Sequence, residues 1–199
     1  MEAIRPDKRQ STAEETLEFY LPFARVLGLN ALADQVELLC YENLDPEQYG
    51  FFASQWSHGA LKRKHRISQL KQYFAAKLTQ LDIQGSVSAE DHRVDLCRAF
   101  FTNKKPLETL LNSYRFTIIV PQVLDCDALA ASLKHYLVRP IQIQDHIRRP
   151  NPGGTQSLNL FFERQGEHLE LVIQTQIMFD VAKRGAILAD LAPESSRSI

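Results

Sequence analysis

The residues best equipped for chemistry lie between positions 145 and 185. Arg148 and Arg149 are adjacent permanent cations, and the chain then runs Pro150-Asn151-Pro152-Gly153-Gly154. That stretch must be a turn or loop, because proline fixes φ and glycine admits positive φ. Gln156 and Ser157 follow it. Strands are expected over 156–163 and 168–176, joined by a hairpin turn at Gln165-Gly166-Glu167. A helix is expected over 177–184, with Gly185 as its stop. Alternation along the second strand puts Leu169, Leu171 and Ile173 on a core face and Glu170, Val172 and Gln174 on the other. A carboxylate, amides, a hydroxyl, a glycine loop and paired arginines are the parts of a phosphate-ligand pocket. They are equally the parts of a wet sheet face, and the residue types leave both readings open.

The order of these residues adds something their types do not. Asp145, Ile147, Pro150, Gly154, Gln156, Ser157 and Leu158 are followed at fixed offsets by Glu170, Ile173, Thr175, Met178, Ala182 and Gly185. This run resembles the signature of the RelA/SpoT synthetase domain, which moves pyrophosphate from ATP to the 3′ oxygen of GTP or GDP and makes (p)ppGpp. The resemblance implies a nucleotide site built from Arg148, Arg149, Gly154, Gln156, Ser157 and Gln174. It implies Glu170 as the acid that activates the 3′ hydroxyl and assists magnesium, with Asn112 at the family's other metal position.

A second likeness lies near the start. Glu15, Thr16, Leu17, Tyr20, Pro22, Ala24, Leu27 and Gly28, and then Leu44, Pro46 and Tyr49, resemble the end of the hydrolase domain in long RelA/SpoT proteins. The hydrolase metal ligands of that family lie upstream of these helices, and no His-Asp dipeptide occurs here. The six histidines are therefore read as scattered surface residues rather than a metal cluster.

These groups need a scaffold, and the chain can build one. With 199 residues and 44% hydrophobic content it can bury a core with an appended subdomain. A formal charge of −1 argues against recruitment of nucleic acid or an anionic membrane by a global field. Cys40, Cys97 and Cys126 fit no zinc spacing and read as reduced thiols, so a cytoplasmic protein is expected. No apolar run is long enough to span a bilayer, and the first residues do not read as a signal peptide.

In chain order, the first eleven residues are polar and expected to fray. Ser11 with Glu14, or Thr12 with Glu15, forms a candidate capping box. The helix beyond it should be kinked or divided by Pro22 and ended by Gly28. A second helix is expected over 31–42. Asp45 and Pro46 mark the cap and first position of a third. The longest helix is expected over 59–81, with a basic cluster from Lys62 to Arg66 that is either a solvated face or an RNA- or ribosome-contacting patch. Further helices are expected over 89–101 and 128–137, and strands over 114–120 and 140–147. The fold class is thus α+β: an N-terminal helical segment, then a mixed β-sheet flanked by helices, a nucleotidyltransferase-like synthetase fold. Residues 1–55 form the hydrolase-like remnant and 56–199 the synthetase-like domain.

The charged positions depart from the family pattern. Glu90 stands where the resemblance calls for arginine, His92 and Phe100 for lysines, Leu96 for serine, Asn112 for the metal aspartate and Thr117 for arginine. Thr155 replaces the tyrosine that stacks on guanine, Asn151 a lysine, Asn159 a histidine, Val172 a glutamine and Gln174 an arginine. Each lost phosphate contact weakens binding by about 2 kcal/mol. The expectation is an alarmone-related pseudo-synthetase that binds a guanine nucleotide, (p)ppGpp, another alarmone enzyme or a regulatory protein. The alternative is a divergent nucleotide pyrophosphotransferase with magnesium as cofactor, Glu170 as base, and Arg93, Arg98, Arg148 and Arg149 holding phosphates.

Overall fold

Strand β5, Glu167–Thr175, shows why the sheet forms as it does. Leu169, Leu171 and Ile173 are buried along one face, as alternation requires. The structure is a computed structural model that describes residues 6–103, 105–136, 140–150, 154–164 and 166–184. Among these residues β5 lies in a five-stranded sheet of order β1-β2-β5-β4-β3. The partners are β1 (Ser86–Glu90), β2 (Ser113–Val120), β3 (Pro140–Asp145) and β4 (Leu158–Arg164). Only the β2–β5 pair is parallel, with Arg115 opposite Glu170 and Thr117 opposite Val172. A parallel pair needs a crossover, here the long excursion through α8 (Val123–Tyr136), β3 and β4. The mixed α/β architecture agrees with the expected class.

One face of the sheet is sealed. Tyr114, Phe116, Ile118, Leu160, Phe162, Leu169, Leu171 and Ile173 pack against Leu70, Phe74 and Leu78 of α5 (Ala60–Gln80) and against Cys126, Leu129 and Leu133 of α8. Helix α5 has the extent expected of the longest helix. The 128–137 helix begins earlier, at Val123.

The N-terminal half is helical. Helix α1 (Pro6–Glu15) passes into a π-helical turn, Thr16–Tyr20, and then into α2 (Leu21–Val26). Pro22 opens α2 directly after the π turn, in which the Leu21 N–H reaches Thr16 O; having no N–H, Pro22 leaves one bond out of a helix that otherwise runs on. Gly28, at φ 74°, ends this run: its N–H reaches Arg25 O and the Leu29 N–H reaches Ala24 O. The expected capping box does not form. Ser11 and Thr12 lie inside α1, and the Thr12 hydroxyl donates to Lys8 O at 2.8 Å. Helices α3 (Asn30–Leu44) and α4 (Pro46–His58) follow. Asp45 caps α4 as expected, accepting from Gln48 N at 2.9 Å. Asp45→Ala should destabilise the protein by about 1 kcal/mol in urea denaturation, with Asp45→Asn nearly neutral.

The expected helix over 89–101 is corrected at its start. Residues 86–90 form the edge strand β1, and α6 spans Arg93–Asn103. Ser-Val-Ser-Ala-Glu holds a single strong strand former, Val87, so its conformation comes more from pairing with β2 than from propensity. Asp91 starts α6 by accepting from Arg93 N at 3.0 Å. The short helix α7, Leu107–Leu111, had no expectation.

A second buried cluster joins Leu38, Tyr41 and Phe52 to Val94, Leu96, Cys97 and Leu110, so it takes residues from both sides of position 55. Helix α9, Gln176–Arg184, follows β5 as expected. The expectations for Asn151, Gly153, Gln165 and Gly185 lie outside the described residues. Among those described, no helix is long and apolar enough to cross a membrane.

Candidate functional site

The other face of the sheet is polar, and register decides which side chains it presents. Glu90 of β1, Arg115 and Thr117 of β2, Glu170, Val172 and Gln174 of β5, and Asn159 and Phe161 of β4 all lie on it. Helix α6 flanks this face and contributes Asp95. Arg115 Nε donates to Glu170 Oε2 at 2.7 Å, and its Nη1 donates to Asp95 Oδ2 at 2.5 Å. Glu170 is thus one of two carboxylates sharing a single guanidinium.

The ion pairs continue away from the sheet. Asp95 meets Arg98 at 2.9 Å, and Arg98 reaches both oxygens of Glu37 on α3 at 2.5 and 2.6 Å. Glu37 also accepts from Arg25 at 2.7 Å and from the Tyr41 hydroxyl at 3.2 Å, and Arg25 closes on Asp34 at 2.9 Å. One relay, Asp34–Arg25–Glu37–Arg98–Asp95–Arg115–Glu170, therefore connects the N-terminal helices to the sheet. Glu37 is its buried member, 3% exposed. Burial opposes the Glu37 charge, but Arg98 and Arg25 outweigh it and hold its carboxyl below the usual range. Asp95 is lowered in the same way, against burial, by Arg115 and Arg98. Burial pushes His92 down, which keeps its ring neutral. Its Nδ1 lies 3.2 Å from Glu90 O, and its Nε2 is buried without a partner.

The structure places the expected site residues unevenly. Glu170 and Gln174 share the polar face, but Gln174 is 5% exposed, so it is a buried amide rather than part of a wet surface. Arg148 follows β3 at the opposite edge of the sheet. It is drawn to Asp127 of α8 at 2.7 Å and Asp145 at 2.6 Å rather than to Glu170. Arg149 is exposed, and its carbonyl lies 3.4 Å from His146 Nδ1. Gly154 takes φ 73°, the role expected of a loop glycine. Gln156 closes the loop by donating to Ile147 O at 2.8 Å, and Ser157 O accepts from His146 N at 2.9 Å. Asn112 caps α7, three positions before Arg115, and its carbonyl accepts from His168 N at 3.0 Å.

Sequence reasoning missed Arg115, Asp95 and Glu37 as members of this arrangement. Arg115 had a usable signal, since it alternates with Phe116 on a recognised strand. Glu37 had none, because its partners are 12 and 61 residues away.

The residues present do not fit the magnesium that the resemblance implies. Glu170 is engaged by Arg115, Asn112 offers an amide, and no group of three or more His, Cys, Asp or Glu that could hold a metal occurs among the described residues.

No family model matches the chain. The guanosine-3′,5′-bis(diphosphate) 3′-pyrophosphohydrolase of Haemophilus influenzae is 28% identical over 186 residues, which is 92% of this chain and 28% of the relative. The bifunctional (p)ppGpp synthase/hydrolase SpoT of Escherichia coli K12 is 28% identical over 92% of this chain and 26% of its own length. The chain is a RelA/SpoT homologue. The GTP pyrophosphokinase of Haemophilus influenzae agrees, at 28% identity over 86% of this chain and 24% of the relative. The homologue thus spans about a quarter of the length of the curated relatives it matches. Its fold is similar to that of small alarmone synthetase 1 from Bacillus subtilis, solved with its product pppGpp (TM-score 0.51, 16% identity, 72% of this chain and 85% of that one). In this RelA/SpoT homologue Glu90, which replaces an expected arginine, lies opposite Arg115 in the β1–β2 register. A further carboxylate thus joins Asp95 and Glu170 on the polar face.

Proposed function

We propose that this RelA/SpoT homologue is a catalytically inactive pseudo-synthetase of (p)ppGpp metabolism that acts by binding a protein partner or a nucleotide. One observation carries the reading: Glu170, the only acid retained at an expected catalytic position, is paired with Arg115 at 2.7 Å while Arg115 is also held by Asp95. To act as a base or a magnesium ligand Glu170 would have to give up that cation. A triphosphate arriving there would meet the Glu90 carboxylate and would compete with Asp95 and Glu170 for Arg115; two like charges 4 Å apart repel by about 4 kcal/mol at an effective dielectric of about 20. Arg98 and Arg148 are each engaged by two carboxylates.

Exposed Phe19, Tyr20, Phe23, Val26, Leu27 and Leu32 form an apolar surface over the N-terminal helices, which favours the protein-partner form. The compartment proposed is the cytoplasm, where Cys40, Cys97 and Cys126 remain free thiols.

Incubation with ATP, GTP and magnesium should give no (p)ppGpp above a protein-free blank. Product that forms with the natural chain and disappears in Glu170→Gln would refute the proposal, because it would show Glu170 at work despite Arg115.

A further inference from the structure

Arg63, in the first turn of α5, differs from the arginines of the relay. It is 8% exposed, yet no carboxylate of the described residues lies within ion-pair distance. Its guanidinium stacks over the Trp56 ring, 3.6 Å from the centroid, and Nη2 donates to Trp56 O. A guanidinium has further N–H donors, and here Nε and Nη1 find no protein acceptor among the described residues. Neither nitrogen is sealed from solvent, so both donors remain open to a ligand that reaches the mostly buried side chain. Burial pulls Arg63 below the ordinary arginine range, whereas Arg66, Arg98 and Arg148, with their carboxylates, are held above it.

The position is built around the side chain. Gly59 joins α4 to α5, and a Cβ there would come within 3.0 Å of Arg63 Nη1, so the absence of a side chain leaves room for the guanidinium. Arg63 lines a cavity of about 390 Å³ between α4, α5 and α7, a size that suits a small organic molecule. Phe51, Leu107 and Leu111 supply apolar wall, and Lys62 and His58 add basic groups. Glu108 lines it too, which disfavours a polyanion. On its other side Arg63 borders a smaller cavity of about 240 Å³, where Glu90 and Asp91 would repel an anion.

We infer that the cavity between α4, α5 and α7 binds a small organic anion, one carboxylate or phosphate carried on an apolar or aromatic body, with Arg63 meeting the charge. The ligand's charged group accepts from the unused Arg63 N–H donors. Its body lies against Phe51, Leu107 and Leu111. The inference is independent of Glu170 and of any alarmone chemistry.

Trp56 is the only tryptophan in the chain and Arg63 stacks on its ring, so its emission reports on what Arg63 meets. Phenyl phosphate and benzoate serve as probes, with benzyl alcohol as the neutral control. At least one anion should shift Trp56 emission saturably in the millimolar range or below, benzyl alcohol should not, and comparison of the two anions identifies the preferred head group. Arg63→Gln, with its fold checked by circular dichroism, should bind at least about tenfold more weakly, a loss of about 1.4 kcal/mol. Should that variant fail to fold, Phe51→Ala serves instead, because Phe51 is 54% exposed and its loss should spare the fold while weakening the probe several-fold. Glu170→Gln should leave the titration unchanged. Absence of a saturable response to both anions, an equal response to benzyl alcohol, or undiminished affinity in a folded Arg63→Gln or Phe51→Ala protein would each overturn the inference.

Discussion

Glu37→Ala should destabilise the protein by about 3 kcal/mol, the low end of what removing one partner from a buried ion pair costs. Glu37 is 3% exposed and holds Arg25 and Arg98 together, so its removal strips each guanidinium of its buried partner and leaves it only Asp34 or Asp95. The low end applies because both arginines are about a third exposed and water can reach them (34% and 39%). Glu37→Gln should lose less, since the amide oxygen still accepts a hydrogen bond. The effect has a defined pH dependence. The folded-state pKa of Glu37 lies below its unfolded value, so its contribution is present above the unfolded glutamate range. It is lost as pH falls through the depressed folded range. Urea denaturation should therefore separate natural protein and variant clearly at neutral pH and less as the solution is acidified below about pH 4. A difference under about 1 kcal/mol at neutral pH would mean the relay is no stronger than a set of surface pairs.

Phe116→Ala should be costlier still, about 4 kcal/mol. Phe116 is fully buried at the centre of β2, and its ring meets Phe74 of α5 edge-on with centroids 5.2 Å apart. The consequence reaches the polar face, because Arg115 and Thr117 flank Phe116 on the same strand. Loosening β2 against α5 also loosens the registry that sets Arg115 opposite Glu170. Phe116→Leu, which fills most of the volume, should lose roughly 1–2 kcal/mol. Denaturation midpoints test both values. A loss below about 2 kcal/mol for the alanine variant would show that the site lies on a less tightly packed strand than the burial of Phe116 implies.

Much of this architecture was legible in the residues. The alternation of Leu169, Leu171 and Ile173 marked β5 and its core face, and Asp45-Pro46 marked the start of α4. Periodicity from Leu61 to Leu81 marked α5. These signals are local, and local physics suffices for them. Strand β1 was not legible, because Ser86 to Glu90 become a strand only when β2 supplies the partner. The site was legible in its residue types but not in its charge balance. Glu170 stood out on its strand, yet Arg115, which neutralises it, and the relay behind Arg115 depend on packing that brings α3 and α6 to the sheet. Arg148 shows the same limit, since its pairing with Asp127 of α8 joins residues far apart in sequence. As a cation beside a glycine loop it read as a phosphate ligand, and in the fold Asp127 and Asp145 are closer acceptors.

With Arg115 holding Glu170, the acid is expected not to accept a metal–nucleotide. Manganese, used as a paramagnetic stand-in for magnesium, tests this through the relaxation rate of water protons when titrated with GTP into the natural protein and into Glu170→Gln. The expected result is the same enhancement in both proteins, with no component that depends on Glu170. A larger enhancement in the natural protein that saturates with GTP and is abolished in Glu170→Gln would contradict the claim, and would restore Glu170 as a working metal ligand.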